Sequence, residues 1–307
     1  YEPFFGGGAM FVHVMNTYQP KNVVINDIND DVMNIYREIK TNLGEFQQRL
    51  DSLESQYLPL SKDDRKKFYF DIRHLHAWDY QEWSKTFEAA TLYFLMKTGF
   101  NGIYQLNKNT NGRYGTPSGL LNQKDKVYDR NVLSWWHNAL QNVTILSGDW
   151  KDSVNDDDNG FFFFDPPYRD SFADYGNGFG DDALTDLLDF ADKQKRVFVA
   201  NRADDDWFED QSRSMNVHYF DMELKKGNIV LFRERHRTYY DHQPIKVGTG
   251  TNLNMIWDIA IARIDPKLVK LLVPHARGLT SRLTDKDTGE LTLFGNMKLD
   301  SIQKQVA

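Results

Sequence analysis

The sequence predicts an α/β fold in which helices cover a mostly parallel sheet. Residues 161–164 are four consecutive phenylalanines, which is typical of a strand buried on both faces at the middle of such a sheet. Pro166 and Pro167 follow, and because proline donates no backbone hydrogen bond, the strand must end there. Other short apolar runs alternate with segments of helical periodicity, and they lie at 22–27, 143–146, 197–200 and 255–264.

Length and composition set the limits within which these elements act. The chain has 307 residues, of which 40% are hydrophobic and 26% charged, as expected for one large or two smaller folded domains. The formal net charge is −7, so any polyanion would need a local basic face. Cysteine is absent, which excludes disulfides and thiol nucleophiles. No signal peptide or membrane-length apolar run is visible, so we expect a cytoplasmic protein without membrane or metal partners.

The amino-terminal stretch contains three consecutive glycines at 6–8, followed by the start of a predicted helix at Ala9. Glycines permit a tight turn and a close approach of the backbone to a ligand. Such a turn should follow the first strand of the sheet, yet only Tyr1 precedes the turn segment. We therefore expect the natural chain to extend upstream. An ordinary loop is the alternative interpretation of the glycines.

Asp27 ends the predicted strand at 22–27. It lies about 20 residues after the glycines, where an acidic residue commonly binds the ribose hydroxyls of a nucleoside. A plain helix cap is the alternative. Asp30 is expected to cap the next helix, whose predicted apolar stripe is Val32, Ile35, Tyr36, Ile39 and Leu43.

The stretch from 46 to 100 is predicted to be helical, with its apolar stripes in the core. Its basic run, residues 65–67, is expected on a solvated face, with a phosphate contact as the alternative. His74 and His76 lack a carboxylate at metal-binding spacing, so we interpret them as structural.

Residues 100–119 are polar, rich in turn residues and net positive. Asn111-Gly112 is a turn signal between two short arms and predicts a β-hairpin. Its amides, arginine and tyrosines suit contacts to DNA grooves and phosphates. An ordinary surface hairpin is the alternative.

Further polar residues follow predicted strands. Asp149 and Trp150 come after the strand at 143–146 and suit an adenine ring, by its amine and its face. Asn201 is expected to end the strand at 197–200. The remaining predictions are an acidic spacer at 156–158, a glycine-rich substrate loop at 169–180, and a basic, solvated or phosphate-contacting stretch at 233–237.

The residues after the phenylalanine strand carry the most specific chemistry. Asp165 offers a carboxylate acceptor, Pro166 a carbonyl held in one direction by the next ring, and Tyr168 a flat face. Ligands of open α/β sheets bind beyond the carboxyl ends of strands. Together these groups suit a planar ring that bears an exocyclic amine. A strand end with a proline-rich turn is the alternative.

Asp165-Pro166-Pro167-Tyr168 resembles the amino-methyltransferase signature Asp/Asn-Pro-Pro-Tyr/Phe. From Glu2 to about Asn201, the order of motifs resembles the Dam-type adenine-N6 DNA methyltransferases. The resemblance implies a Rossmann-like class I methyltransferase sheet with a helical plus β-hairpin DNA-recognition insertion. It places a catalytic domain at 1–44 and 141–265 and the insertion at 45–140. Residues 266–307 form an extension of unknown role.

The resemblance also implies a reaction and its site residues. A methyl group would move from S-adenosylmethionine to N6 of adenine in double-stranded DNA, after the base leaves the stack. The catalytic set is Asp165, Pro166, Pro167 and Tyr168. The cofactor set is Glu2, Pro3, Phe4, Phe5, Gly6, Gly8, Asp27, Ile28, Asp149, Trp150 and Asp165. The DNA-binding set is Asn101, Tyr104, Gln105, Asn107, Arg113, Tyr114, Thr116, Pro117 and Ser118.

Two features depart from the family pattern. The family's lysine- and glycine-containing cofactor motif, upstream of the glycine turn, is absent. Gln105 and Leu106 stand where bacterial Dam proteins typically have Arg and Tyr, so the Gly-Ala-Thr-Cys target does not carry over. Methylation of RNA adenine or protein glutamine, and a scaffold that binds DNA without methylating it, remain alternatives.

Overall fold

The structure is a computed structural model, and it describes residues 1–119, 121–168, 179–202, 206–224, 230–235 and 256–262. Most of the predicted loop at 169–180 and the whole extension at 266–307 lie outside these residues. The protein is a mixed α/β protein that divides into two compact units. We call residues 1–20, 24–26 and 149–307 the sheet unit, and residues 21–23 and 27–148 the helical unit.

Seven strands and eight α-helices occur in the described residues. The strands are β1 (Val23–Ile25), β2 (Val143–Ile145), β3 (Phe162–Phe164), β4 (Val197–Arg202), β5 (Asn216–Leu224), β6 (Val230–Arg235) and β7 (Ile256–Ala262). The helices are α1 (Ala9–Thr17), α2 (Asp30–Thr41), α3 (Leu43–Tyr57), α4 (Lys62–Trp78), α5 (Lys85–Thr98), α6 (Arg130–Leu140), α7 (Asp181–Lys193) and α8 (Asp206–Asp210).

The larger sheet has the strand order β3–β4–β7–β5–β6, and β1 pairs with β2 in a separate two-stranded sheet. Strand β3 runs parallel to β4, with Phe163 opposite Phe198. Strand β7 runs antiparallel to both of its neighbours, β4 and β5. The predicted strands at 161–164, 197–200 and 255–264 are therefore confirmed.

The phenylalanine strand is buried as predicted, but its place in the sheet is different. Among the described strands, β3 is at one end of the five-stranded order. Its outer edge meets the amino-terminal residues, because the Phe163 amide donates to the Tyr1 carbonyl at 2.9 Å. Glu2 in turn forms a parallel bridge to Ile25 of β1. Two residues, Tyr1 and Glu2, thus lie between β1 and β3.

The core of the sheet unit is built on this strand. Phe162 and Phe164 are fully buried and pack against the apolar face of α7. That face consists of the residues whose spacing predicted it: Leu184, Leu187, Leu188 and Ala191. The Tyr1 ring stacks on Phe162 with ring centroids 4.6 Å apart. An apolar run in the sequence therefore fixes the position of the strand end.

The helical unit confirms the prediction for residues 46–100, which form α3, α4 and α5. Ser61 and Ser84 cap α4 and α5, each accepting a hydrogen bond from a backbone amide of the first turn, as N-cap residues do. The cap of α2 was predicted incorrectly: Asn29 accepts from the Val32 amide, and Asp30 is the first helical residue. Leu43 begins α3 instead of completing the α2 stripe.

Candidate functional site

Strand β3 ends at Phe164, and the sequence Asp165-Pro166-Pro167-Tyr168 follows directly. Asp165, Pro167 and Tyr168 are half-buried, whereas Pro166 is buried. The rings of Phe4 and Phe179 meet edge-on with centroids 5.4 Å apart, and Phe4 also contacts Phe164. The acid predicted to do the chemistry therefore lies at the carboxyl end of a rigid apolar strand.

The glycine turn leads from the amino-terminal residues into α1. The Phe5 amide donates to the Asn26 carbonyl at 2.9 Å, and the Asn26 side chain donates to the Pro3 carbonyl at 3.1 Å. Gly6 and Gly8 have φ of 49° and 69°, a backbone conformation that favours glycine. Gly6 is exposed, and a Cβ atom there would meet no atom within 4 Å. The turn thus presents open backbone next to the start of a helix.

Two acidic side chains of the sheet unit lie close enough to influence each other. Glu2 is buried, and burial raises its pKa well above the usual range. The negative charge of Asp165 raises the pKa of Glu2 further, because a nearby like charge disfavours ionisation. Glu2 and Asp165, which follows the end of β3, therefore form one acidic region in this unit.

The turn that contains Asp27 belongs to the helical unit. Asp27 Oδ1 accepts from the Asn29 amide at 3.0 Å, and the Asp27 carbonyl accepts from the Gly148 amide at 3.1 Å. The side chain thus supports the turn before α2, as the helix-cap interpretation expected in part. Asp27 is half-buried, and the Ile28 side chain is 48% exposed.

Asp149 and Trp150 have structural contacts of their own. Asp149 accepts from the Lys151 amide at 2.9 Å and starts a short 3₁₀ turn, Trp150–Ser153. Trp150 is only 6% exposed and meets Phe164 and Phe190 edge-on. This placement differs from the predicted stacking on an adenine ring, because the indole is part of the hydrophobic core.

Residues 100–119 reverse direction as predicted, but without a regular ladder. Their arms meet at two isolated antiparallel bridges, Gly99–Ser118 and Leu106–Tyr114, and no strand is assigned between them. The turn is at Asn111 and Gly112, with φ of 56° and 71°. The backbone carbonyls of Gly115 and Thr116 accept hydrogen bonds from the Arg73 side chain of α4 instead of from an opposing strand.

Three members of the predicted DNA-binding set lie inside the helical unit. Tyr114 and Thr116 are buried. Arg113 forms an ion pair with Glu88 of α5, and the two side chains are 11% and 8% exposed. The guanidinium also lies 3.4 Å from the centroid of the Tyr80 ring. This departs from the predicted phosphate contact, because the positive charge of Arg113 is neutralised within the protein.

The exposed residues of the segment form the surface that a binding partner can reach. It contains two predicted residues, Gln105 and Pro117, while Tyr104, Asn107 and Ser118 are half-buried. For Asn101 only the backbone is described, in the 3₁₀ turn Phe100–Gly102. The exposed residues that the prediction did not include are Phe100, Ile103, Leu106, Lys108, Asn109, Asn111 and Gly112.

The other basic residues with a predicted surface role also differ in exposure, some being buried or paired and others exposed. Arg65, predicted on a solvated face, is buried and donates to the carbonyls of Leu121 and Gln123. Lys66 is exposed, and Lys67 pairs with Asp71 at 2.7 Å. The stretch at 233–235, predicted as a loop, belongs to β6, and residues 236–237 lie outside the described residues. Asn201 lies within β4 instead of at its end.

The described residues contain neither a candidate metal cluster nor a helix that could span a membrane. Within them, no three His, Cys, Asp or Glu side chains are grouped in a way that could hold a metal ion. None of the helices in these same ranges is long and apolar enough to cross a bilayer.

Comparison with known proteins identifies the family. The profile of the D12 class N6 adenine-specific DNA methyltransferases matches residues 1–222. The chain therefore belongs to this family, and it is a DNA methyltransferase specific for N6 of adenine. This result favours DNA over the RNA and protein alternatives.

Several named relatives agree with this assignment. Type II methyltransferase M.MjaIII of Methanocaldococcus jannaschii is 32% identical over 228 residues, which are 70% of this chain and 78% of the relative. Type II methyltransferase M.CviBI of Paramecium bursaria Chlorella virus NC1A is 31% identical over 208 residues, covering 66% and 73%. Type II methyltransferase M1.LlaDCHI of Lactococcus lactis subsp. cremoris is 29% identical over 172 residues, covering 55% and 56%.

Proposed function

We propose that this adenine-N6 methyltransferase uses S-adenosylmethionine and acts on an adenine that has been flipped out of double-stranded DNA. The family implies this methyl donor, and the residues present fit it. Its sulfonium and ammonium groups are cationic, which suits the acidic region formed by Glu2 and Asp165. Its size requires open space, which the glycine turn offers beside Gly6.

Within each unit, particular residues would hold the cofactor. In the sheet unit these are the backbone of the glycine turn, with Pro3, Phe4, Phe5 and Gly8, and the carboxylates of Glu2 and Asp149. In the helical unit, Asp27 would accept from the ribose hydroxyls and Ile28 would pack beside the nucleoside. The indole of Trp150 is buried against Phe164, so it would contribute to cofactor binding only indirectly, by packing in the hydrophobic core next to Asp149. When bound, S-adenosylmethionine supplies an electrophilic methyl carbon.

Asp165, Pro166 and Tyr168 would orient the adenine. The Asp165 carboxylate and the Pro166 carbonyl accept the two N–H bonds of the N6 amine, and Tyr168 stacks on the ring. Transfer of the methyl carbon from the sulfonium sulfur to N6 would break the carbon–sulfur bond and develop positive charge on nitrogen, which the Asp165 carboxylate would stabilise. N6 would then lose a proton to water. Holding the amine in line with the methyl group supplies much of the rate, and Pro167 keeps the motif rigid.

The exposed residues of the 100–119 segment would contact DNA. Gln105, Asn107 and Asn109 carry amides that can pair with base edges, and Lys108 can contact a phosphate. The buried members of the original set would support this surface from below. The predicted insertion at 45–140 remains our proposal for the recognition domain.

We also propose that β1, residues 1–2 and strands β3 to β7 form one Rossmann-like methyltransferase sheet. The bridge from Glu2 to Ile25 and the hydrogen bond from Phe163 to Tyr1 support this proposal. These two contacts connect β1 to residues 1–2 and residues 1–2 to β3.

The position of Asp165 beyond a fully buried strand is the single observation that carries the proposed mechanism. The test is to incubate the protein with isotopically labelled S-adenosylmethionine and, separately, duplex DNA, RNA and protein, and then to sequence the methylated positions. Label in N6-methyladenine of duplex DNA is expected. Label only in RNA or protein, or none at all with a folded protein, would contradict the proposal.

A further inference from the structure

Within the helical unit, two side chains of the 100–119 segment contact one carboxylate oxygen, Asp31 Oδ2, in the first turn of α2. The Tyr104 hydroxyl donates to Asp31 Oδ2 at 3.3 Å. Arg113 Nη2 lies 3.5 Å from the same oxygen. Tyr104 and Arg113 come from opposite arms of the segment, so Asp31 holds both arms at once.

Asp31 is close in the chain to the proposed ribose-binding turn. It lies two residues beyond Asn29, the cap of α2, whose amide donates to Asp27 Oδ1 at 3.0 Å. The Asn29 side chain also lies close enough to the Tyr104 hydroxyl to lower the pKa of Tyr104. A path therefore runs along the chain from Asp27 to Asp31 at the start of α2, and through Asp31 to Tyr104 and Arg113, all in the same unit.

The charges along this path are well defined. Burial, followed by the charge of Asp31, raises the pKa of Tyr104, so its hydroxyl stays protonated and remains a donor. Burial opposes ionisation of Arg113, but the hydrogen bond to Glu88 and the charge of Asp31 raise the pKa of Arg113 above its usual value. One cation is thus shared by two acids, Glu88 and Asp31.

We infer that Asp31, Tyr104 and Arg113 are positioning residues that couple the DNA-recognition segment to the cofactor-binding turn. This inference rests on the proposed role of Asp27 in cofactor binding. An ordered segment favours an ordered Asp27 turn, so each ligand raises the affinity for the other. The coupling is reciprocal, because the two binding equilibria are linked.

The variant Tyr104→Phe tests the coupling, because it keeps the ring and removes only the hydroxyl. Affinity for S-adenosylmethionine, measured by calorimetry without DNA, is expected to fall about threefold to tenfold, the effect of losing one hydrogen bond. The KM for S-adenosylmethionine should rise with little change in kcat. A target duplex, identified beforehand by methylation sequencing, should raise the cofactor affinity of the wild type. In Tyr104→Phe, the factor by which the duplex raises this affinity should fall towards one.

The matched control is Tyr57→Phe. Tyr57 is a buried tyrosine of α3 outside the 100–119 segment, and its hydroxyl donates to Gln123 Oε1 at 3.3 Å. This variant loses a buried hydroxyl but should keep the wild-type cofactor affinity. A second comparison uses Asp31: Asp31→Asn retains an oxygen acceptor for Tyr104, so it should lose less cofactor affinity than Asp31→Ala.

The outcomes separate this inference from the proposed function. If Tyr104→Phe binds S-adenosylmethionine as the wild type does, or if Tyr57→Phe loses as much affinity, the coupling role is overturned. If the folded wild type itself binds no S-adenosylmethionine, the proposed cofactor role of Asp27 fails, and the inference fails with it. A selective loss in Tyr104→Phe, with partial retention in Asp31→Asn, supports it.

Discussion

The end of strand β3 and the 100–119 segment use their polar side chains in different ways. At the end of β3, four phenylalanines lead into Asp165, and the carboxyl group remains half-buried beside the acidic Glu2. In the 100–119 segment, Arg113 is paired with Glu88 inside the helical unit. In the first region, Asp165 lies at the carboxyl end of the strand. In the second region, Arg113 pairs with Glu88 and Asp31 and so binds the segment to the rest of the helical unit.

The difference shows which sequence patterns are ambiguous. A run of large apolar residues has one favourable destination, because exposing it to water costs free energy. A polar residue has two, the solvent or a partner within the protein. Arg113 was predicted to contact a phosphate because the sequence does not show that Glu88 and Asp31, 25 and 82 residues away, lie beside it.

The largest expected effect comes from Arg113→Ala. Removing the guanidinium leaves the buried Glu88 with its longer ion pair to the exposed Lys85, at 3.4 Å, so the free energy of unfolding should fall by about 3–5 kcal/mol. Urea denaturation measures this loss. The control is Arg130→Ala, which removes an arginine from an exposed pair with Asp51 and should change stability little. Unchanged stability of Arg113→Ala, together with a salt slope of DNA binding that is lower by about one, would restore the phosphate contact.

Asp165→Ala should act on the reaction and not on the fold. Loss of one oriented acceptor should raise the activation barrier by about 2–4 kcal/mol and slow methyl transfer by a corresponding factor of about 30 to 10³. Single-turnover methylation measures the rate, and circular dichroism monitors the fold. Asp165→Asn, which keeps the shape of the side chain, should also be slow. Near-normal turnover in either variant would remove the carboxylate from the mechanism.

Acid should weaken the support of the 100–119 segment through His76. His76 is fully buried, and burial, with a smaller contribution from Arg113, lowers its pKa to about 4. A folded-state pKa below the unfolded value of about 6.5 means that stability is complete above that pH and is lost as the pH falls through 4. The loss should reach at most about 1.4 kcal/mol per pH unit. Urea denaturation from pH 7 to 4 should show a shallower slope for His76→Leu, and equal slopes would contradict the prediction.

The smallest effect is expected from the exposed surface of the segment. Lys108→Ala should weaken binding to all duplexes and reduce the salt slope by about 0.9, the value for one phosphate contact. Fluorescence anisotropy at several salt concentrations measures the slope. Lys62→Ala removes another exposed lysine, at the start of α4, and should have no effect. Equal slopes for the wild type and Lys108→Ala would exclude Lys108 from the DNA interface.

The sequence alone determined the apolar framework and the family. Helical periodicity located α2 and the helices at 46–100, because the buried face of a helix repeats at the helical period. Short apolar runs located strands β1 to β4 and β7. Asp165-Pro166-Pro167-Tyr168 was recognisable because a strand, two prolines and an acid are consecutive in the chain.

Only the tertiary structure decided where the scattered polar residues lie. It replaced Asp30 by Asn29 as the cap of α2 and placed Arg65 and Arg113 in the interior. It also placed Trp150 in the core and Asn201 within β4. The physical reason is that hydrogen bonds and ion pairs join residues distant in sequence, whereas hydrophobic periodicity is a local property that the chain displays directly.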